Sequence, residues 1–204
     1  MPSRLANKVA IITGPSSGIG RSISLHYAAE GALVVCADLQ PDPSPANNSN
    51  PNTEENESET RLPTHILIAQ RGGTAIFQRV DVRSALSVEE LVTAAVSAYG
   101  RLDVMVNNAG VGVPQSRPIW ECETEAWERV LDVNLKGVFL GIKYACRQML
   151  KQEPLEGAEG DRGWIINAAS ILGFTGQTGV GEVCLPFAFS FLFPGTLPSF
   201  LELV

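Results

Sequence analysis

The sequence predicts an α/β fold built on a doubly wound parallel sheet. Three observations predict it. Short apolar runs alternate with helix-period segments along most of the chain. A glycine-rich turn joins the first apolar run to the first helix. Each polar, motif-like cluster falls at the carboxyl end of an apolar run, where ligands of such sheets gather.

Lys8 to Ile12 reads as a short buried strand that runs into Thr13-Gly14-Pro15-Ser16-Ser17-Gly18-Ile19-Gly20. A helix follows from about Ile19 to Glu30, with Ile23, Tyr27 and Ala28 on one face and Gly31 as its stop. Leu33 to Ala37 is a second apolar run, closed by Asp38. Together these make one βαβ unit. Residues 41–61 change character: Pro, Asn, Ser and Glu dominate, and so little apolar surface cannot offset ordering entropy. A disordered surface insertion is expected there.

Helical spacing resumes from Thr64 to Arg71, and Thr74 to Arg79 is a third strand that leads to Asp81-Val82. Ser87 to Tyr99 is an amphipathic helix with Ser87 as its expected cap. Leu102 to Val106 is a fourth strand, opening into Asn107-Asn108-Ala109-Gly110. Thr124 is the expected cap of the next helix, whose pattern carries past Asn134 to about Leu150. The glycines Gly160 and Gly163 turn the chain into a fifth strand, Trp164 to Ala168, followed by Ser170. Helices between strands imply a parallel sheet covered on both faces with right-handed crossovers.

Composition narrows the function. The chain has 204 residues, 45% hydrophobic and 18% charged, enough for one domain with a sizeable core. Its net charge of −7 disfavours nucleic acid and anionic membrane as partners, because phosphate binding needs clustered Lys and Arg. Cys36, Cys122, Cys146 and Cys184 form no CxxC pair and have no His at ligand spacing, so reduced thiols and no metal are expected. The start, MPSRLANK, has no apolar signal-like region, which predicts a cytoplasmic location.

The glycine turn carries the first chemical signal. A strand entering such a turn and a helix presents free backbone N–H groups and the positive end of a dipole to a pyrophosphate. Gly14 permits the tight turn, and Gly18 and Gly20 permit close approach. Asp38 ends the second strand, where a carboxylate accepts hydrogen bonds from both ribose hydroxyls and repels a 2′-phosphate. No basic residue stands in the loop or just after Asp38, so NAD is favoured over NADP.

Thr13-Gly14-x-x-x-Gly18-Ile19-Gly20, Asp81-Val82, Asn107-Asn108-Ala109-Gly110, Asn134 and Ser170 resemble the ordered motif set of the short-chain dehydrogenase/reductase family. The resemblance spans residues 8 to about 181 and implies a Rossmann-type sheet. It implies that Gly14, Ser17, Gly18, Ile19 and Gly20 line the pyrophosphate and Asp38 holds the adenosine ribose. Asp81 and Val82 would contact adenine, and Asn108, Ala109 and Gly110 would form the wall beside the cofactor. Asn134 would sit at a helix kink and hold a water of a proton relay, and Ser170 would bond the oxygen of a secondary alcohol or ketone substrate. On residue physics alone, Asn134 is a helix-surface amide and Ser170 a strand-end cap. The family is commonly homo-oligomeric.

The resemblance breaks after Gly181. The family's spacing from its serine puts the proton-transferring tyrosine at Val183 and its lysine partner at Phe187. Neither side chain can transfer a proton. No Tyr follows Tyr144 and no Lys or Arg follows Arg162. The expected organisation is therefore a dinucleotide-binding domain over 1–181, its sheet incomplete on the C-terminal side, and an apolar tail over 182–204. Its fifth strand would be a poorly covered edge. Pro186, Pro194, Pro198 and the lack of flanking basic residues argue against a membrane span in the tail. An NAD-dependent oxidoreductase is expected by descent, inactive as this chain stands. A non-catalytic dinucleotide-binding protein and a truncated product are the alternatives.

Overall fold

The computed structural model describes residues 3–43, 58–112, 118–155, 160–170 and 172. Most of the expected 41–61 insertion lies outside the described residues. So do the segment after Leu172, the apolar tail, Val183 and Phe187.

The strands are β1 (Val9–Thr13), β2 (Leu33–Asp38), β3 (Thr74–Arg79), β4 (Val104–Asn107) and β5 (Trp164–Asn167). They form one parallel sheet in the order β3-β2-β1-β4-β5. The α-helices are α1 (Gly18–Ala29), α2 (Thr64–Gln70), α3 (Ala85–Tyr99), α4 (Thr124–Leu131) and α5 (Gly137–Met149). The order reverses at β1: the chain moves outward to β3, then crosses back to β4. A crevice therefore opens above the carboxyl ends of β1 and β4.

Side-chain alternation along the strands divides the core in two. Ile11, Val35, Met105 and Ile165 point to one face and pack under α3 and α5 with Leu91, Leu140 and Tyr144. Ala10, Ile12, Val34, Cys36, Val104 and Val106 point to the other and pack with Ile23, Tyr27 and Ile68 from α1 and α2. All of β1 is buried, because it is the central strand and is covered on both sides. Burial also pushes the Cys36 thiol up to about 12, so it behaves as a small apolar side chain. β5 closes the described sheet as an edge strand, with Ile165 buried and Trp164 and Ile166 half-buried.

Several boundaries differ from expectation for local reasons. α3 begins earlier than expected because Ser84, not Ser87, is its cap; the Ser84 hydroxyl accepts from Ser87 N at 3.3 Å. The Ser87 hydroxyl accepts from Asp81 N at 3.0 Å instead. Thr124 is the first residue of α4, and the preceding Glu123 makes no side-chain cap bond. β4 starts later than Leu102 because the Gln152 side chain takes both Leu102 backbone groups, at 2.8 and 2.9 Å. Gly31, with φ +86°, ends α1 as expected. The helical run through Asn134 extends from Thr124 to Met149 as expected, but its hydrogen-bond ladder changes partway. A π-helical turn, Asp132–Lys136, separates α4 from α5. Among the described residues, no helix is long and apolar enough to cross a membrane.

Leu91 is fully buried between α3 and the sheet. Leu91→Ala should lower unfolding stability by about 2–5 kcal/mol, read as a lower urea midpoint with an unchanged slope.

Candidate functional site

The crevice above β1 and β4 is a groove of about 470 Å³. Every residue expected to hold a cofactor lines it. Gly14, Ser17, Gly18, Ile19 and Gly20 come from the β1–α1 turn, and Asp38 from the end of β2. Asp81 and Val82 come from the β3–α3 loop, and Asn108, Ala109 and Gly110 from the end of β4. Asn134 and Ser170 do not line it.

The turn is shaped by what two glycines lack. Gly14 has φ +73°, and a Cβ there would lie 3.1 Å from the Ala109 Cα. At Gly20 a Cβ would overlap the Gly14 carbonyl and reach to 2.5 Å from the Asn108 side-chain amide. The first turn of α1 can therefore stand directly against β1 and β4. Ser17 precedes the helix in extended geometry (φ −157°, ψ 166°) and makes no side-chain cap bond. The first turn carries no acidic residue. Its N–H groups and dipole thus face the groove with no carboxylate of that turn competing for them.

Thr13 fastens the groove floor. It is buried, and its hydroxyl donates to Val106 O at 3.2 Å while accepting from Asn108 N at 2.9 Å and Ala109 N at 3.0 Å. The Asn108 amide donates to Thr13 O at 3.0 Å. Alternation marks Thr13 only as a strand-end residue, so sequence reading gave it no role of its own. One step along, Asn107 donates to Asn167 across β4 and β5 at 2.8 Å, with both side chains buried. Gly141 of α5 leaves the space that the Asn107 amide fills.

Asp38 is aimed by backbone. Its Oδ2 accepts from Ser16 N at 3.1 Å and its Oδ1 from Leu39 N at 2.8 Å. Ser16 also donates to Gln40 O at 2.7 Å, tying the glycine turn to the chain after β2. Thr64 donates to Pro15 O at 2.6 Å, and the buried Arg21 donates to Leu62 O at 2.8 Å and Thr64 Oγ1 at 2.9 Å. The chain on either side of the inserted segment is thus bonded to the turn or to the helix it opens.

Asp81 is engaged by Arg83, a groove residue that sequence reading missed although it directly follows Asp81-Val82. The guanidinium contacts both carboxylate oxygens, with its shortest bond at 2.7 Å, and holds Asp81 below the usual carboxylate range.

Asn134 corrects the surface-amide expectation. It lies within the π turn and is only 3% exposed. Its Oδ1 accepts from Val111 N at 2.8 Å and its Nδ2 donates to Val111 O at 2.9 Å. The side-chain amide is spent on holding the loop after β4 against the helix. Ser170 is half-buried beyond β5, and its hydroxyl oxygen accepts from Leu172 N at 3.2 Å. The hydroxyl proton is left to donate elsewhere. Among the described residues, no group of three or more His, Cys, Asp or Glu side chains could hold a metal ion.

This arrangement has known counterparts. Residues 8–182 match the family described as short chain dehydrogenase. The chain belongs to the short-chain dehydrogenase family. It is 35% identical over 181 residues to (+)-borneol dehydrogenase 2 of Salvia officinalis, covering 88% of this chain and 54% of that protein. It is 40% identical over 151 residues to tropinone reductase-like 1 of Erythroxylum coca, covering 73% and 48%. The chain thus spans about half the length of these curated relatives. A short-chain dehydrogenase/reductase from Burkholderia phymatum, solved in complex with NAD, shares the fold. Its TM-score is 0.77 at 24% identity, over 98% of this chain and 65% of that one.

Two substitutions test the site's construction. Gly20→Ala should cost about 1–3 kcal/mol by overpacking, seen in thermal or urea unfolding, because its closest neighbours include backbone. Asn134→Ala leaves the Val111 N–H and carbonyl unpaired. It should cost about 1–3 kcal/mol and speed hydrogen exchange at the Val111 amide before the sheet amides.

Proposed function

We propose that the groove binds NAD and that the chain carries the cofactor-binding part of an oxidoreductase acting on a secondary alcohol or ketone. The observation that carries this reading is the side-chain-free approach of Gly14 and Gly20. It sets the start of α1, whose first N–H groups lack intrahelical partners, opposite an aimed carboxylate within one groove.

The residues present fit the dinucleotide. In this reading the N–H groups at the start of α1 and the Ser17 hydroxyl hold the pyrophosphate. Each Asp38 oxygen is held by one backbone N–H and keeps further acceptor capacity, which suits the two hydroxyls of an adenosine ribose. A 2′-phosphate at that place would meet the carboxylate's charge, so NAD is favoured over NADP. Asp81 and Val82 border the adenine, and Asn108, Ala109 and Gly110 wall the cofactor. When bound, the cofactor supplies a nicotinamide ring able to exchange a hydride with the substrate carbon. Ser170 retains a hydroxyl proton for the substrate oxygen, and Asn134 sets the loop at Val111 through the π turn.

Proton transfer is the weak link in this chain. Val183 and Phe187 occupy the positions that family spacing gives to the tyrosine and lysine. We infer that residues 1–204 alone bind the cofactor but turn over slowly. Losing general acid–base catalysis costs about two to four orders of magnitude in rate. This favours, as a second reading, a dinucleotide-binding protein without catalysis.

Titration with NAD, followed by fluorescence or thermal shift, tests the binding. The chain should bind NAD more tightly than NADP, and Asp38→Ala should weaken NAD and narrow that difference. A folded chain indifferent to millimolar NAD would refute the reading. NADH formation over a panel of secondary alcohols tests the chemistry, and turnover at ordinary dehydrogenase rates would overturn the inferred slowness.

A further inference from the structure

The Asp81–Arg83 pair carries more than a surface ion pair would. Both residues line the groove, on the loop between β3 and α3, and both side chains are partly exposed. Asp81 Oδ1 accepts from Arg83 N at 3.0 Å and from Arg83 Nε at 2.9 Å. Oδ2 accepts from Arg83 Nη2 at 2.7 Å, with a longer approach from Nε at 3.2 Å. The Asp81 backbone is fixed too, because its N–H donates to Ser87 Oγ and its carbonyl accepts from Ser84 N at 3.0 Å.

A carboxylate offers roughly four acceptor positions, about two on each oxygen. Arg83 N and Nε fill both on Oδ1; on Oδ2, Nη2 fills one, and Nε, already bonded to Oδ1, makes only the longer 3.2 Å approach. One remains, in a fixed direction, on a residue that lines the groove. We propose that Arg83 is a positioning residue for base recognition: it locks Asp81 so that a single acceptor site is presented to the exocyclic amine of adenine.

The inference rests on the dinucleotide-binding reading and deepens it. A purine with an amine at that carbon supplies the one N–H the site lacks. A purine with a carbonyl there turns an oxygen lone pair toward the carboxylate and is rejected. Without Arg83, Asp81 has free rotamers and more open acceptor positions, so both the affinity for adenine and the discrimination fall. Lysine does not replace arginine here. An ammonium is a point charge without the planar fork that spans two oxygens.

The probes are NAD and nicotinamide hypoxanthine dinucleotide, titrated by calorimetry into the unmutated chain, Arg83→Ala and Arg83→Lys. The unmutated chain should prefer NAD. Arg83→Ala should weaken NAD about three- to tenfold, the worth of one hydrogen bond, and leave the hypoxanthine analogue within about twofold. Arg83→Lys should behave like Arg83→Ala. Thermal unfolding of both variants should stay close to the unmutated chain, because the pair is partly exposed. The inference falls if the unmutated chain binds both dinucleotides equally, or if Arg83→Ala keeps the preference. It falls also if both ligands weaken in equal proportion, or if Arg83→Lys matches the unmutated chain, which would assign the effect to charge alone. Binding of neither dinucleotide by the unmutated chain would overturn the dinucleotide reading and this inference with it.

Discussion

The structure turns on a missing methylene at Gly20. With no side chain there, the start of α1 can approach the Gly14 carbonyl and the Asn108 amide. That approach places the helix opening over the gap between β1 and β4. The first turn of α1 can thereby form one wall of the groove. Beside it, the Thr13 hydroxyl accepts from two backbone amides just after β4. A larger side chain at Gly20 would force the helix start away from the Gly14 carbonyl and the Asn108 amide.

Much of this was legible in the sequence. Apolar runs of the right length gave the strands, because a parallel sheet buried on both faces needs no polar alternation. β1 illustrates this: five consecutive residues, all buried. The glycine spacing and Asp38 were readable because backbone chemistry demands glycine and acid at those points. The bonds within the site were not readable. Nothing in the local pattern says that Ser84 rather than Ser87 caps α3, since both are polar and stand close to the helix start. Nor does a helical period reveal the π turn, whose cause is tertiary: Asn134 is drawn inward to Val111. Arg83 was missed because an arginine beside an acid on a loop reads as a solvated pair. Only the groove lining shows that the pair faces a ligand-sized space.

The two ends of the sheet are built differently. At the carboxyl end, polar groups such as Thr13, Asn107, Asn108 and Asn167 bond one another and leave a groove open. At the amino end, Asp103 is fully buried and closes the structure, accepting from Val9 N at 2.8 Å and Arg101 Nε at 2.7 Å. The first end holds a groove open and the second is spent on cohesion. That division matches the rule that ligands of open α/β sheets gather beyond the strands' carboxyl ends.

The π turn has one further effect. An α-helix advances by about 100° per residue, and a π turn accommodates one residue more than the regular ladder would. α4 and α5 are therefore out of phase, as two screws joined with an extra fraction of thread. Each presents its apolar stripe at an azimuth that a straight rod could not give both. Removing a single residue between Asp132 and Lys136 would make a more regular helix and a worse protein. Either Asn134 would swing away from Val111, or α5 would rotate its Leu140 and Tyr144 off the sheet.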